Sequence, residues 1–205
     1  RLTAAGEAFQ TIAQRALAQL KDLDDAFAGQ RSLKRGIVDL AVVSTAKYFV
    51  PMLLVAFRRK FPGVEVKLGL HNREGVLGLL ARNEIDLVVM GRAPDTPPCV
   101  AEVFASNPMA IVAAPSHPLS RRRRAPLSLL KDEEFVVREE GSGTRAAMER
   151  LFAAKRIKPR IAMEMPSNET IKQAVMAGMG LSFLSLRTVR HELASGRLVL
   201  LDIEG

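Results

Sequence analysis

Tryptophan is absent from the 205 residues, aromatic residues make up only 5%, and there is a single cysteine. Each scarcity excludes something. So few rings leave little material for a base-stacking platform on single-stranded nucleic acid. Cys99 alone closes no internal disulfide and fits a reducing compartment. The three histidines, His71, His117 and His191, are scattered and share no metal-ligand spacing with one another or with the cysteine, so no metal site is expected. His117, between Ser116 and Pro118, reads as a turn residue and not as a general base. A nucleophile elbow, a Walker loop with its lysine and a Cys/His pair are all missing, and catalysis is not expected. No apolar run is long enough to cross a bilayer, and the first residues lack the pattern of a signal peptide. The expected location is the cytoplasm, with no membrane partner.

What is present is an ordinary globular balance, 48% hydrophobic and 25% charged, enough for one large or two small domains. The net charge is +8, and the four arginines at 121–124 carry half of it. Lying between Pro118 and Pro126, they read as a solvated loop tip ahead of a nucleic-acid contact. Arg58, Arg59 and Lys60 end a helix, where cations complement the dipole.

The stretch 134–152 reads as a buried strand, a glycine turn and a helix. Phe135, Val136 and Val137 form the apolar run, and Met148, Leu151 and Phe152 recur at helical spacing. Gly141 and Gly143 permit positive φ and close approach of a ligand. The first helical turn offers unpaired N–H groups and the positive end of the dipole, so a phosphate or carboxylate fits there beside Ser142 and Thr144. Arg145 in that turn opposes the dipole and calls for a negative group nearby. Two other readings stay open. Glu139 and Glu140 can neutralise Arg145 while Ser142 or Thr144 serves only as a cap. Alternatively, Gly141-Ser-Gly-Thr-Arg-Ala146 fits a dinucleotide fingerprint with Glu164 on a ribose. Against the latter, two carboxylates precede the first glycine and the motif comes late in the chain.

Along residues 3–28, Phe9, Ile12, Ala16, Leu20, Leu23 and Phe27 fall at steps of three and four, a narrow seam on a helix about 37 Å long. Such a stripe suits one partner helix, and it is read as a dimerisation element closed by Gly29. The chain then alternates. Strands at 37–43, 64–70 and 87–90 enclose a Ser44-Thr45 turn, a helix with Pro51 early in it, and a helix capped by Asn72. This βαβαβ order predicts a parallel sheet whose ligands bind beyond the strand carboxyl ends, where Ser44, Thr45, Asn72, Arg73 and Arg92 lie. Pro94, Pro97 and Pro98 mark a linker. In a second unit, strands are expected at 109–113, 135–137, 161–165, 181–184 and 198–201, with helices at 127–130, 171–177 and 187–194. Ser167 is the cap of the middle one, with Asn168 beside it. A ligand held in a cleft between the two units would touch both sets of polar groups.

Leu2-Thr-Ala-Ala-Gly6 before the long helix, the turn from Ser44 to Pro51, His117-Pro-Leu119, and Gly178-Met-Gly-Leu-Ser-Phe-Leu184 resemble, in order and spacing, the LysR-type transcriptional regulators. Ser44-Thr-Ala-Lys-Tyr-Phe49, Asn72-Arg-Glu74 and Arg138-Glu-Glu-Gly-Ser-Gly-Thr-Arg145 look more narrowly like the branch that controls the Calvin-cycle carbon-fixation operon. Glu140 stands where that branch usually has proline. The resemblance implies an α/β, two-lobed periplasmic-binding-protein-like effector domain behind a long dimerisation helix, with a winged helix-turn-helix upstream of this stretch. The expected divisions are a linker helix at 1–29, lobe I at 30–92 without its C-terminal return, a hinge at 93–99 and lobe II at 100–205. The implied effector is a small anion, a phosphorylated metabolite or NADPH, with no resident cofactor. Its expected contacts are Ser44, Thr45, Lys47, Asn72, Arg73, Arg92, Gly141, Ser142, Gly143, Thr144, Arg145, Ser167 and Asn168. The implied partners are a second copy in a homodimer, a homotetramer in the full-length protein, DNA through the upstream domain, and RNA polymerase. A solute-binding protein of a transport system would share the two-lobed fold, and a dinucleotide-dependent enzyme is the third alternative.

Overall fold

The computed structural model describes residues 35–204 and, before them, Thr3, Gly6, Glu7, Phe9, Gln10, Ile12, Ala13 and Leu17. Apart from Thr3, those early residues are helical, and the Thr3 hydroxyl accepts from the Gly6 N–H at 3.2 Å. Phe9 and Ile12 of the expected seam are exposed on this helix; Ala16, Leu20, Leu23 and Phe27 lie outside the described residues. The chain divides into two compact units, Arg1–Ala101 and Glu102–Gly205.

In the first unit, β1 (Gly36–Val43) is the middle strand of a three-stranded parallel sheet, between β2 (Val64–His71) and β3 (Leu87–Val89). Its register pairs Gly36 with Val64 and Leu40 with Leu87. Parallel neighbours need crossovers, which α1 (Val50–Lys60) and α2 (Arg73–Ala81) supply. Pro51 sits in the first turn of α1, where its missing N–H costs nothing, and Arg58, Arg59 and Lys60 occupy the last turn. Leu40, Val42, Ala46 and Val50 form the buried core, with Leu54, Val66 and Val89 packed against it. Ala41 is also buried, while Ile37, Leu68, Leu70 and Leu87 of the same sheet are exposed.

The second unit is built on a mixed sheet. β4 (Met109–Ala113) runs antiparallel to both β8 (Ser182–Ser185) and β9 (Val199–Leu200). β6 (Glu134–Arg138) pairs parallel with β7 (Arg160–Met165) and reaches the β8 segment through Phe135 opposite Leu181. There the Val136 N–H donates to Leu181 O and the Leu181 N–H to Glu134 O, both at 2.8 Å. Gly180 makes this crossing possible, because at φ 138° any Cβ would lie 2.4 Å from Glu134 O. A short pair, β5 (Ala125–Pro126) beside β10 (Ile203–Glu204), completes the strands.

The two-residue period of these strands sorts their side chains between two cores. Ile111, Ala113, Phe135, Val137 and Phe183 face Met148 and Phe152 of α3 (Gly143–Ala154). Val112, Val136 and Leu184 face Ile171 and Val175 of α4 (Asn168–Met176) and Val189 of α5 (Leu186–Ala194). The Phe135 and Phe152 rings meet edge to face with centroids 5.3 Å apart. On the second face, Lys172 of α4 is buried against α5, where its Nζ donates to Glu192 Oε1 at 3.0 Å and to Thr188 O at 3.3 Å.

Candidate functional site

In the first unit the polar residues at the strand ends largely serve their own fold. Asn72 follows β2 and caps α2, its side-chain oxygen accepting from the Gly75 N–H at 2.9 Å. Arg73 Nη1 donates to the Arg92 carbonyl, so the start of α2 holds the chain leaving β3. Thr45 precedes the short 3-10 turn Ala46–Tyr48 and makes no side-chain capping bond. Lys47 lies over the Tyr48 ring at 5.1 Å, and Ser44 is half-buried between β1 and this turn.

The second unit gathers three element ends: the carboxyl end of β6 and the starts of α3 and α4. Gly141 takes φ 77° and turns the chain from strand to helix. Gly143 does not use the positive-φ freedom expected of it, because it is already the first residue of α3. Ser142 is the N-cap residue, buried at 4% exposure, yet its hydroxyl makes no capping bond. Thr144 is inside the helix and buried, so it is not the cap. Ser167, by contrast, caps α4 with a long bond from the Thr170 N–H at 3.5 Å.

Arg145 finds its negative partners within the protein, though not where the sequence pointed. Its Nε donates to Glu149 at 2.6 Å and its Nη1 to Glu164 at 3.2 Å and to the Arg138 carbonyl at 3.1 Å. Glu149 stands one helical turn away, a spacing that brings side chains together. Glu139, the expected partner, is instead held by Arg138 in a two-pronged pair at 2.7 and 2.8 Å. Glu164, which the dinucleotide reading gave to a ribose, is taken by Arg145.

The residue that sequence reasoning missed is Arg138. It is 3% exposed, and its Nη1 donates to Asn168 Oδ1 at 2.9 Å, tying the end of β6 to the start of α4. With that oxygen engaged, the Asn168 amide nitrogen is buried and has no hydrogen-bond partner among the described residues. A buried donor in that condition loses its hydration without return unless something accepts from it. The nearest sequence signal was a cation closing an apolar strand, which reads equally well as a solvated strand end. Elsewhere His117 is structural: its Nδ1 accepts from the Leu119 N–H, and its Nε2 lies 3.3 Å from Glu133. Among the described residues, no group of His, Cys, Asp and Glu is placed to hold a metal ion.

A parallel α/β unit followed by a mixed sheet with helices on both faces is the architecture of a two-unit effector-binding domain. Residues 31–205 match the model of the LysR substrate binding domain, and the chain belongs to the LysR family of transcriptional regulators. The HTH-type transcriptional regulator CbbR of Rhodospirillum rubrum is 47% identical, over 100% of this chain and 67% of that protein. A RuBisCO operon transcriptional regulator of Allochromatium vinosum is 43% identical, over 93% of this chain and 64% of its own length. The chain thus spans about two thirds of these relatives. Among solved structures, the regulatory domain of Synechocystis CcmR in complex with 2-PG is 41% identical with a TM-score of 0.79, covering 82% of this chain and 81% of that one. The effector-binding domain of QuiR, at 20% identity and a TM-score of 0.74, covers 83% of this chain and 81% of that one and shares the fold. These relatives are named as regulators and none as an enzyme. No helix among the described residues is long and apolar enough to cross a membrane.

Proposed function

We propose that this chain is the effector-sensing region of a transcriptional regulator of carbon-fixation genes, and that a small anionic metabolite docks on the start of α3 and the adjoining start of α4. The observation that carries this reading is the pairing of an uncapped helix start at buried Ser142 with the unpartnered Asn168 amide. The first-turn N–H groups of α3 supply donors and the positive end of a dipole, and Asn168 supplies one more donor. The ligand's charge is met by these dipoles and by Arg138 behind Asn168, while Arg145 braces the helix start against β7.

In the first unit the same reading takes Ser44, Thr45, Lys47, Asn72, Arg73 and Arg92 as further effector contacts. Binding acts on transcription only if the anion has different affinities for two arrangements of the protein. In the full-length protein, an upstream helix-turn-helix reads DNA, the N-terminal helix joins two copies, pairs assemble into tetramers, and RNA polymerase is the final recipient of the signal. The complex of CcmR with 2-PG makes that molecule the first to test, followed by other phosphorylated carbon-fixation intermediates and NADPH. Calorimetric titration of each into the chain is expected to give saturable heat for at least one phosphorylated compound. No heat from any of them would contradict sensing at this site.

A further inference from the structure

The arginines at 121–124 are exposed on a turn, as the solvated loop tip read from the sequence requires, and that turn is tied down at both ends. On the side of Pro118–Arg121, a 3-10 turn, Leu119 is buried and its N–H is capped by His117. The Ser120 hydroxyl donates to Pro115 O at 2.9 Å, and the Arg122 N–H to Leu119 O at 3.1 Å. On the other side, Ala125 is buried in β5, and its N–H donates to Asp202 O at 2.8 Å. Arg124 makes the turn at φ 47° and pairs with Glu204 at 2.8 Å. Both ends of the run are therefore anchored, and one of its four charges is neutralised in place.

Arg121, Arg122 and Arg123 remain exposed, and among the described residues none of them pairs with a carboxylate. Glu133 is engaged with His117, and Glu204, which β10 brings beside the turn, with Arg124. Three neighbouring like charges on a braced turn repel one another unless a polyanion relieves them. A small anion needs a concave site with converging donors, whereas an exposed row of guanidinium forks suits successive phosphates on an extended backbone. Residues 115–133 contain no Phe, Tyr or Trp, so there is no ring on which unpaired bases would stack. We propose that Arg121, Arg122 and Arg123 form a sequence-independent contact for the phosphate backbone of double-stranded DNA. The contact adds a fixed anchor in the effector region to whatever reads the base sequence. The inference rests on the chain working at DNA and is independent of which effector it binds.

Anisotropy of a labelled random-sequence duplex, titrated with the chain over a range of salt concentrations, tests it. Losing three phosphate contacts lowers the log–log salt slope by roughly 2.7, equivalent to about 40-fold between 50 and 200 mM salt. The triple variant Arg121→Ala, Arg122→Ala, Arg123→Ala is expected to show that loss with an unchanged melting curve. A charge-matched triple, Arg58→Ala, Arg59→Ala, Lys60→Ala, should alter the slope far less. Equal effects from the two triples would reduce the result to net charge and overturn the proposal, as would no binding by the unaltered chain. Poly-glutamate competing as well as duplex through the same three arginines would point to an acidic protein partner, and would overturn it too. Effector titration by calorimetry in the arginine 121–123 triple should match the unaltered chain, so failure here stays distinct from failure of effector sensing.

Discussion

The starts of α2 and α3 both follow strands whose carboxyl ends face a turn, yet they are finished differently. Asn72 closes α2 with its own side chain, while Ser142 holds the same position before α3, buried, without a capping bond. The contrast extends to the two units. The second has helices and buried cores on both faces of its sheet, with Ile161, Met163 and Leu200 exposed only on the edge strands. The first has one buried cluster and leaves Ile37, Leu68, Leu70 and Leu87 exposed, two strands of its three plus the end of the middle one. A packed scaffold can hold a helix start in place without a side-chain cap, which leaves its first-turn donors available to the proposed effector.

Core truncation tests the packing half of the comparison and has the largest expected effect. Phe152→Ala removes the ring that packs edge to face on Phe135 and should cost ~3–5 kcal/mol, whereas Leu40→Ala in the thinner core should fall near the lower end of ~2–5 kcal/mol. Denaturant melts of both variants, with hydrogen exchange to localise the loss, check the ranking. Losses in the reverse order would mean that the first unit is the better packed of the two.

Cap removal gives a smaller and sharper contrast. Asn72→Ala should cost ~0.5–2 kcal/mol, as lost caps do, whereas Ser142→Ala, with no capping bond to lose, should change stability by less than about 0.5 kcal/mol. Thermal melts read both. Equal losses would mean that Ser142 caps its helix after all, and the difference between the two starts would disappear.

Much of this fold was legible in the residues. The strands of both units show as short apolar runs between turn formers, Pro51 and Asn72 mark helix starts, and Ser167 caps its helix as its residue type suggests. Strand direction in the second unit was not legible, since a run such as Met109–Ala113 has the same composition whether its neighbours are parallel or antiparallel. Nor were the partners of Arg145. Glu139 and Glu140 are close in sequence, but β7 brings Glu164 alongside, and the helical repeat brings Glu149. Arg138 was missed because only the packed unit turns a strand-end cation inward onto Asn168. The proposed dimer seam falls mostly on residues outside those described, and its test remains self-association of a Leu20→Glu, Leu23→Glu variant.

Asn168→Asp is the substitution that puts the central claim most directly at risk. It is close to isosteric, keeps an oxygen for Arg138, and replaces a buried donor that lacks a partner with a carboxylate oxygen. Calorimetric titration of 2-PG, or whichever phosphorylated compound the unaltered chain binds, should show affinity reduced tenfold or more, on the order of 1.5–3 kcal/mol for a lost hydrogen bond to a charged group. The melting temperature should hold or rise. Undiminished affinity in Asn168→Asp would contradict the account, because the start of α4 would then not face the anion.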